Sequence, residues 1–211
     1  MGVQYLVNLR YLVITYLPPS IGRLTNLETQ EEVHLPPAVM KMLKLRCIHV
    51  NTEAIYDKHC SSSERNNIES LSCVRISRFE HQEMLKSSPH LRRLKCWYAF
   101  RSPLPRTPRL AHAWETRDGE FQQLRFLKLD RISISEWKVK SSEHFPKLQN
   151  LVLSYCPNLE EIPSEIGEIG PLVTIEVRGQ CLVSLVESAR IIHQEQLEIG
   201  NDDLCLVVST Y

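Results

Sequence analysis

Apolar residues recur along the chain in one arrangement: a first position, a second three residues on, a third after three more, and a fourth two beyond that. Seven stretches carry it: Leu6/Leu9/Leu12/Ile14, Met42/Leu45/Ile48/Val50, Ile68/Leu71/Val74/Ile76, Ser88/Leu91/Leu94/Cys96, Phe121/Leu124/Leu127/Leu129, Phe145/Leu148/Leu151/Leu153 and Ile169/Leu172/Ile175/Val177. Of these 28 positions 27 are apolar, Ser88 being the exception, where 43% of the whole chain is. The last two positions of each set alternate like a short strand with one buried face. The two upstream positions turn into the same core. Successive third positions lie 36, 26, 20, 33, 24 and 24 residues apart. The 36-residue gap divides in two if Leu24 and Leu27 open a degenerate unit, whose pattern then fails at Gln30 and Glu32.

Most of these steps fall within or near the roughly 20–29 residues of leucine-rich repeats. One unit cannot bury its own apolar face, so units stack into a curved solenoid with the strands parallel on the concave side. The alternative is an ordinary α/β domain with Leu-rich segments; the recurring spacing, with two equal steps of 24, favours the repeat. The expected fold class is therefore an α/β repeat, a leucine-rich-repeat solenoid with a parallel concave sheet over residues 1–181, in about seven clear units plus one degenerate. Residues 57–66 read as a polar loop. Residues 101–120, with Pro103, Pro105 and Pro108 among basic residues, read as a long loop inserted in the 33-residue step. The tail differs. Ser184 with Glu187 forms a candidate capping box, Leu182, Leu185, Val186, Ala189, Ile192 and His193 form a helical face, and Gly200 ends it. A C-terminal cap over 182–211 is predicted, with a capping helix at 184–199 and a last strand at Leu204–Val208. No polar cap precedes Leu6, which reads as a fragment, a truncated product or a chain with an obligate partner.

Lys+Arg 25 against Asp+Glu 25 gives no net charge, so no global field directs the chain to nucleic acid or membrane. The apolar run at 11–17 is too short to span a bilayer. Seven cysteines without a Cys-x-x-Cys pair, no signal-peptide pattern and no Asn-x-Ser/Thr site predict free thiols in a cytoplasmic setting. His59-Cys60 lacks further ligands at zinc-like spacing, so no metal is expected. There is no His-Glu-x-x-His or Gly-x-Ser-x-Gly, and nothing marks any Ser, His or Asp as activated. No catalysis is expected.

Leu17-Pro-Pro-Ser-Ile-Gly-Arg-Leu-Thr-Asn-Leu27 and Leu159-Glu-Glu-Ile-Pro-Ser-Glu-Ile-Gly-Glu-Ile169 resemble the Leu-Pro-x-x-Ile-Gly-x-Leu linkers of plant intracellular immune receptors. Leu151-Val-Leu-Ser-Tyr-Cys-Pro-Asn-Leu-Glu-Glu-Ile-Pro163 is similar to their C-terminal repeats, and the tail from Ser188 to Asp203 to the end of the late-blight-resistance type in their coiled-coil class. The resemblance implies a non-catalytic protein-interaction module in the defence response, including the hypersensitive response. It would act by ligand sensing or autoinhibitory contact. Implied partners are a pathogen effector or the receptor's own nucleotide-binding domain. Two departures stand out. The chain has no Gly-x4-Gly-Lys-Ser/Thr, so the family's nucleotide site is absent and no cofactor is expected. The Asn/Cys position after each strand holds Leu17, Glu53, Phe79, Ala99, Ile132, Cys156 and Gln180, of which only Cys156 conforms. The alternative, a repeat adaptor recruiting substrates to a ubiquitin ligase, requires an F-box region that the sequence lacks.

Segment 84–114 holds seven basic residues and no acid, interleaved with Trp97, Tyr98, Phe100 and Trp114. Basic residues with aromatics can bind nucleic acid, but a solvated loop and one strand carrying protein-contact residues is the plainer reading. Projected onto the repeat, the positions flanking each strand hold eleven basic residues (Arg10, Arg46, Arg75, Arg78, Arg92, Arg93, Lys95, Arg125, Lys128, Arg131 and Arg178) against two acids, Asp130 and Glu176. The predicted protein-binding residues are Arg46, Arg75, Arg78, Arg92, Arg93, Lys95, Trp97, Tyr98, Arg125 and Lys128.

Overall fold

The computed structural model describes residues 10–14, 32–35, 39, 42–50, 53–56, 66–74, 85, 88–97, 113–116, 118–132 and 134–210. Their main feature is a ten-stranded sheet, parallel throughout. Eight strands follow one another across it: β1 (Tyr11–Ile14), β3 (Cys47–Val50), β5 (Ser70–Val74), β6 (Arg93–Trp97), β8 (Phe126–Asp130), β10 (Asn150–Ser154), β11 (Thr174–Arg178) and β12 (Cys205–Ser209). Two more, β2 (Glu32–Leu35) and β4 (Glu53–Tyr56), pair with each other, and β4 reaches β5. Parallel neighbours require a crossover between successive strands. With one long helix among the described residues, α1 (Val183–Glu198), the arrangement is compatible with an α/β repeat.

The apolar positions form continuous rows across the sheet. Leu127, Leu151 and Ile175 are register partners, as are Leu129, Leu153 and Val177, and all six are fully buried. Truncating any of the leucines to Ala is worth about 2–5 kcal/mol. The upstream pair turns through one repeated hydrogen bond. Leu45 N–H donates to Met42 O, Leu91 to Ser88 O, Leu124 to Phe121 O, Leu148 to Phe145 O and Leu172 to Ile169 O, at 2.9 to 3.1 Å. The polar exception, Ser88, is buried but satisfied, its hydroxyl accepting from Asn66 Nδ2 at 2.9 Å. Asn66 was expected in the polar loop 57–66; it is buried instead, and the rest of that stretch lies outside the described residues.

The third unit corrects the expected register. Leu71, not Val74, pairs with Ile48 on one side and Leu94 on the other. The steps from Ile48 to Leu71 and from Leu71 to Leu94 are then both 23 residues. A bulge in β5 follows between Leu71 and Val74, so that Val74 and not Cys73 faces Cys96. Where the backbone ladder lapses, Val50 N–H donates to the buried Ser72 hydroxyl at 2.9 Å. The proposed unit opening at Leu24 and Leu27 lies outside the described residues, but the strand Glu32–Leu35 follows where the pattern was expected to fail.

The expected long loop at 101–120 is not all loop. Residues 101–112 and 117 lie outside the described residues, but β7 (Ala113–Glu115) pairs in parallel with β9 (Glu136–Lys138), placing Trp114 opposite Trp137. Trp114 stacks on Trp137 at 5.3 Å and meets Phe121 edge-on at 6.0 Å; Phe121 in turn stacks on Phe145. All four rings are buried, so Trp114 is core and not a contact residue among basic neighbours.

Helix α1 buries Leu185, Val186, Ala189 and Ile192. Gly167 lies so close beneath that a Cβ there would meet Ile192 at 2.9 Å. The expected capping box does not form. Leu182 is the N-cap and is exposed, and the Ser184 hydroxyl donates to Glu160 O at 2.7 Å. The serine ties the helix to the preceding linker instead of capping it. Ser188 does likewise, accepting from Ile162 N–H at 2.9 Å. At the other end Gly200, at φ +83, closes the helix with its N–H on Leu197 O. Among the described residues no helix is long and apolar enough to cross a membrane.

Candidate functional site

The residue just before each strand occupies an equivalent rung of the sheet. Arg46 N–H donates to Arg10 O, Glu69 to Arg46 O, Arg92 to Glu69 O, Arg125 to Arg92 O and Gln149 to Arg125 O. Four arginines and one glutamate therefore line one edge, about 4.8 Å from rung to rung. Glu69 sits between Arg46, whose Nε is 3.6 Å from Oε1, and Arg92, whose Nη1 is 3.9 Å from Oε2. All three side chains are well exposed, and such pairs contribute at most about 1 kcal/mol.

The structure brings Arg92, Arg93, Lys95, Arg125 and Lys128 together on and beside the adjacent strands β6 and β8. Arg46 stands two strands away, joined to them through Glu69. Trp97 is the last residue of β6, opposite Asp130. Arg75, Arg78 and Tyr98 lie outside the described residues. At the centre is a residue the sequence reading passed over, Phe126, the register partner of Arg93. The Arg93 guanidinium lies 5.0 Å from the ring centroid and the Lys95 ammonium 5.9 Å. Cations over an aromatic face are attracted by its quadrupole. The available signal was an aromatic residue where the repeat calls for a polar one.

The expected charge bias is trimmed by acids on the strands themselves. Asp130 holds Lys128 at 2.8 Å and Arg131 at 3.9 Å, and Glu176 pairs closely with Arg178. With the corrected register Glu69 joins the face as a third acid. Arg93, Lys95 and Arg125 have no acidic partner among the described residues. Uncompensated positive charge thus concentrates around Phe126.

Beyond the strand ends, Arg131, Tyr155 and Gly179 share the left-handed conformation at 24-residue intervals, at φ 54, 51 and 68. Arg131 lies over the Tyr155 ring at 5.4 Å, and that ring covers Gly179 so closely that a Cβ there would meet it at 2.6 Å. Gly179→Ala should therefore lower stability by about 1–3 kcal/mol, from strain in the left-handed region plus displacement of the ring. Urea denaturation measures this, and the cost should shrink in a Tyr155→Ala background. A glycine variant as stable as the wild type would rule out the stacked column.

Cys47, Cys96, Cys156, Cys181 and Cys205 carry free thiols. Cys156 is fully buried, its thiol donating to Leu129 O and Ser154 O, both at 3.5 Å. Burial, with Cys181 nearby adding to it, pushes this thiol up to about 12 from the ordinary 9.0. Burial also raises the Cys181 thiol, which donates to Arg178 O at 3.4 Å. Since Arg178 is the register partner of Ser154, Gln180 stands at the Asn/Cys position of its unit and Cys181 lies one residue beyond it.

One constellation has the residue types of nucleophilic catalysis. Thr116 Oγ1 lies 2.9 Å from His144 Nδ1, and His144 Nε2 lies 2.7 Å from Asp118 Oδ1. The hydroxyl and imidazole are buried while the carboxylate is almost fully exposed, the reverse of an open nucleophile backed by a buried acid. Thr116 Oγ1 also donates to Lys138 O, and the group fastens β7 to its neighbours. Among the described residues no cluster of His, Cys, Asp or Glu is placed to hold a metal ion.

Parallel strands at a recurring step, with one charged exposed face, place the chain with proteins compatible with the α/β repeat class. No family profile matches the sequence. It is 31% identical to a putative late blight resistance protein homolog, R1B-11, of Solanum demissum, over 91% of this chain and 16% of that protein. It is 28% identical to homolog R1B-16 and 28% identical to late blight resistance protein R1-A, both of Solanum demissum, in each case over 86% of this chain and 20% of the relative. The chain is of the late-blight-resistance type and corresponds to the C-terminal region of such plant disease-resistance proteins. It spans about a fifth of their length or less.

Proposed function

We propose that the chain is a non-catalytic protein-interaction module of a cytoplasmic plant immune receptor. It is built as a leucine-rich-repeat solenoid over residues 1–181 and capped by residues 182–211. Its exposed sheet face contacts either a pathogen effector or the receptor's own nucleotide-binding domain, sensing the first or holding the second inactive in the defence response. The observation that carries this reading is the cluster of Arg93, Lys95 and Arg125 around Phe126, lacking acidic partners among the described residues of a chain with no net charge. A surface of one sign speeds encounter with partners of the other. Arginines beside an aromatic ring are also common anchors of protein interfaces.

The test measures association of the chain with the nucleotide-binding domain of a late-blight-resistance relative across a salt series. Arg92→Glu with Arg93→Glu should weaken it about tenfold or more and flatten its salt dependence. Thermal melting should change little, because both side chains face water. Glu160→Lys with Glu161→Lys, on the exposed linker after β10, is the control and should leave affinity within about twofold. Loss of binding in the linker variant with none in the arginine variant would place the interface elsewhere.

A further inference from the structure

The cation lattice on β6 and β8 has a period of its own. Arg93 and Lys95 are two residues apart on one strand, so their side chains leave the same side about 6.6 Å apart. Arg92 and Arg125, like Lys95 and Lys128, are register neighbours one strand spacing of about 4.8 Å apart. An extended peptide lying along these strands presents its own same-side residues at the first of those periods.

We propose that this lattice receives an extended acidic segment of a protein partner with a carboxylate at every second residue. Successive carboxylates then meet Arg93 and Lys95, and Arg125 flanks them across the β6–β8 step. The proposal rests on the reading of this face as a protein-contact surface and specifies what the contact recognises. Acids in alternate positions engage the lattice together, whereas acids at every third residue point to different sides of an extended chain. Phe126 fixes the cations rather than offering a stacking platform, because its ring is already approached by both Arg93 and Lys95. The buried Trp114 supplies none either. Among the described side chains no bare ring stands beside these cations for the bases of a single-stranded nucleic acid.

Fluorescence anisotropy of the full chain with two labelled peptides of equal glutamate number tests the spacing. One alternates Glu with Ser; the other places two Ser between successive Glu. The alternating peptide should bind about fivefold or more tightly, with the stronger salt dependence. Arg93→Gln with Lys95→Gln should abolish that preference, and Arg125→Gln alone should weaken it. Lys147→Gln, on an exposed turn elsewhere, should leave it intact. Equal affinity for the two peptides, or an unchanged preference in the Arg93/Lys95 variant, would overturn the proposal. So would tighter binding of an oligothymidylate of matched charge. If spacing proves irrelevant while the Arg92/Arg93 reversal still breaks association with the receptor domain, the protein-contact reading stands and this inference alone fails.

Discussion

Trp114→Ala is expected to cost about 3–5 kcal/mol, the usual penalty for emptying a large aromatic site in a core. Trp114 is 1% exposed and touches two other rings, so its loss leaves Trp137 without its stacking partner and Phe121 without its edge contact. The pair β7 and β9 forms a sheet of its own, so part of this loss should appear as local opening. Hydrogen exchange is the measurement that resolves it. The amides of Thr116, bonded to Lys138 O, and of His144 should lose protection first, ahead of those in β10 and β11. Tyr11→Ala, at a 67% exposed position, should change little. A Trp114 variant with wild-type protection across β7 and β9 would show that the aromatic cluster does not hold this small sheet in place.

This cluster also marks a limit of what was legible in the sequence. The rows through Leu127, Leu151 and Ile175 could be read because long elements of one step repeat the same buried slots. A three-residue strand such as Ala113–Glu115 has no period to recognise. Its flanking prolines and arginines argued for loop, and only the pairing of Trp114 with Trp137 shows otherwise. The third unit hid its register, because Ile68, Leu71, Val74 and Ile76 fill the motif with apolar residues, whereas with Leu71 in third place the first position is Arg65 and the fourth Cys73. The bulge that follows Leu71 is accompanied by the Ser72 hydroxyl accepting from Val50 N–H, a contact 22 residues apart in sequence. The capping box failed for a related reason, since Ser184 had a distant carbonyl to bond as well as its own helix. At the candidate site, the basic residues of β6 and β8 were visible as flanking positions. Which of them lack acids was not, because Asp130, Glu176 and Glu69 act across or along strands whose register had first to be known.

Stability of the chain is expected to fall steeply above pH 9, and Cys156 to account for much of it. Burial holds this thiol's proton in the folded state up to about 12, whereas the unfolded chain releases it near 9.0. Between those values unfolding releases a proton, so raising the pH favours the unfolded state; below pH 9 the contribution is fully present. Each unit of difference corresponds to about 1.4 kcal/mol, which gives a loss of about 3 kcal/mol by pH 11 for this group. Cys181 shifts in the same direction from the same cause and adds to the fall. Tyrosines and lysines also titrate in this range, so the diagnostic quantity is the difference between the wild type and Cys156→Ala. Near pH 8 the variant should be the less stable, having lost a buried thiol bonded to Leu129 O and Ser154 O. By pH 11 that deficit should have narrowed or reversed, because alanine has no proton to release. Urea denaturation of both proteins from pH 8 to 11 measures the gap directly. A gap that stays constant would mean that water reaches the thiolate in the folded state, and that the slot between β8 and β10 is looser than its geometry indicates.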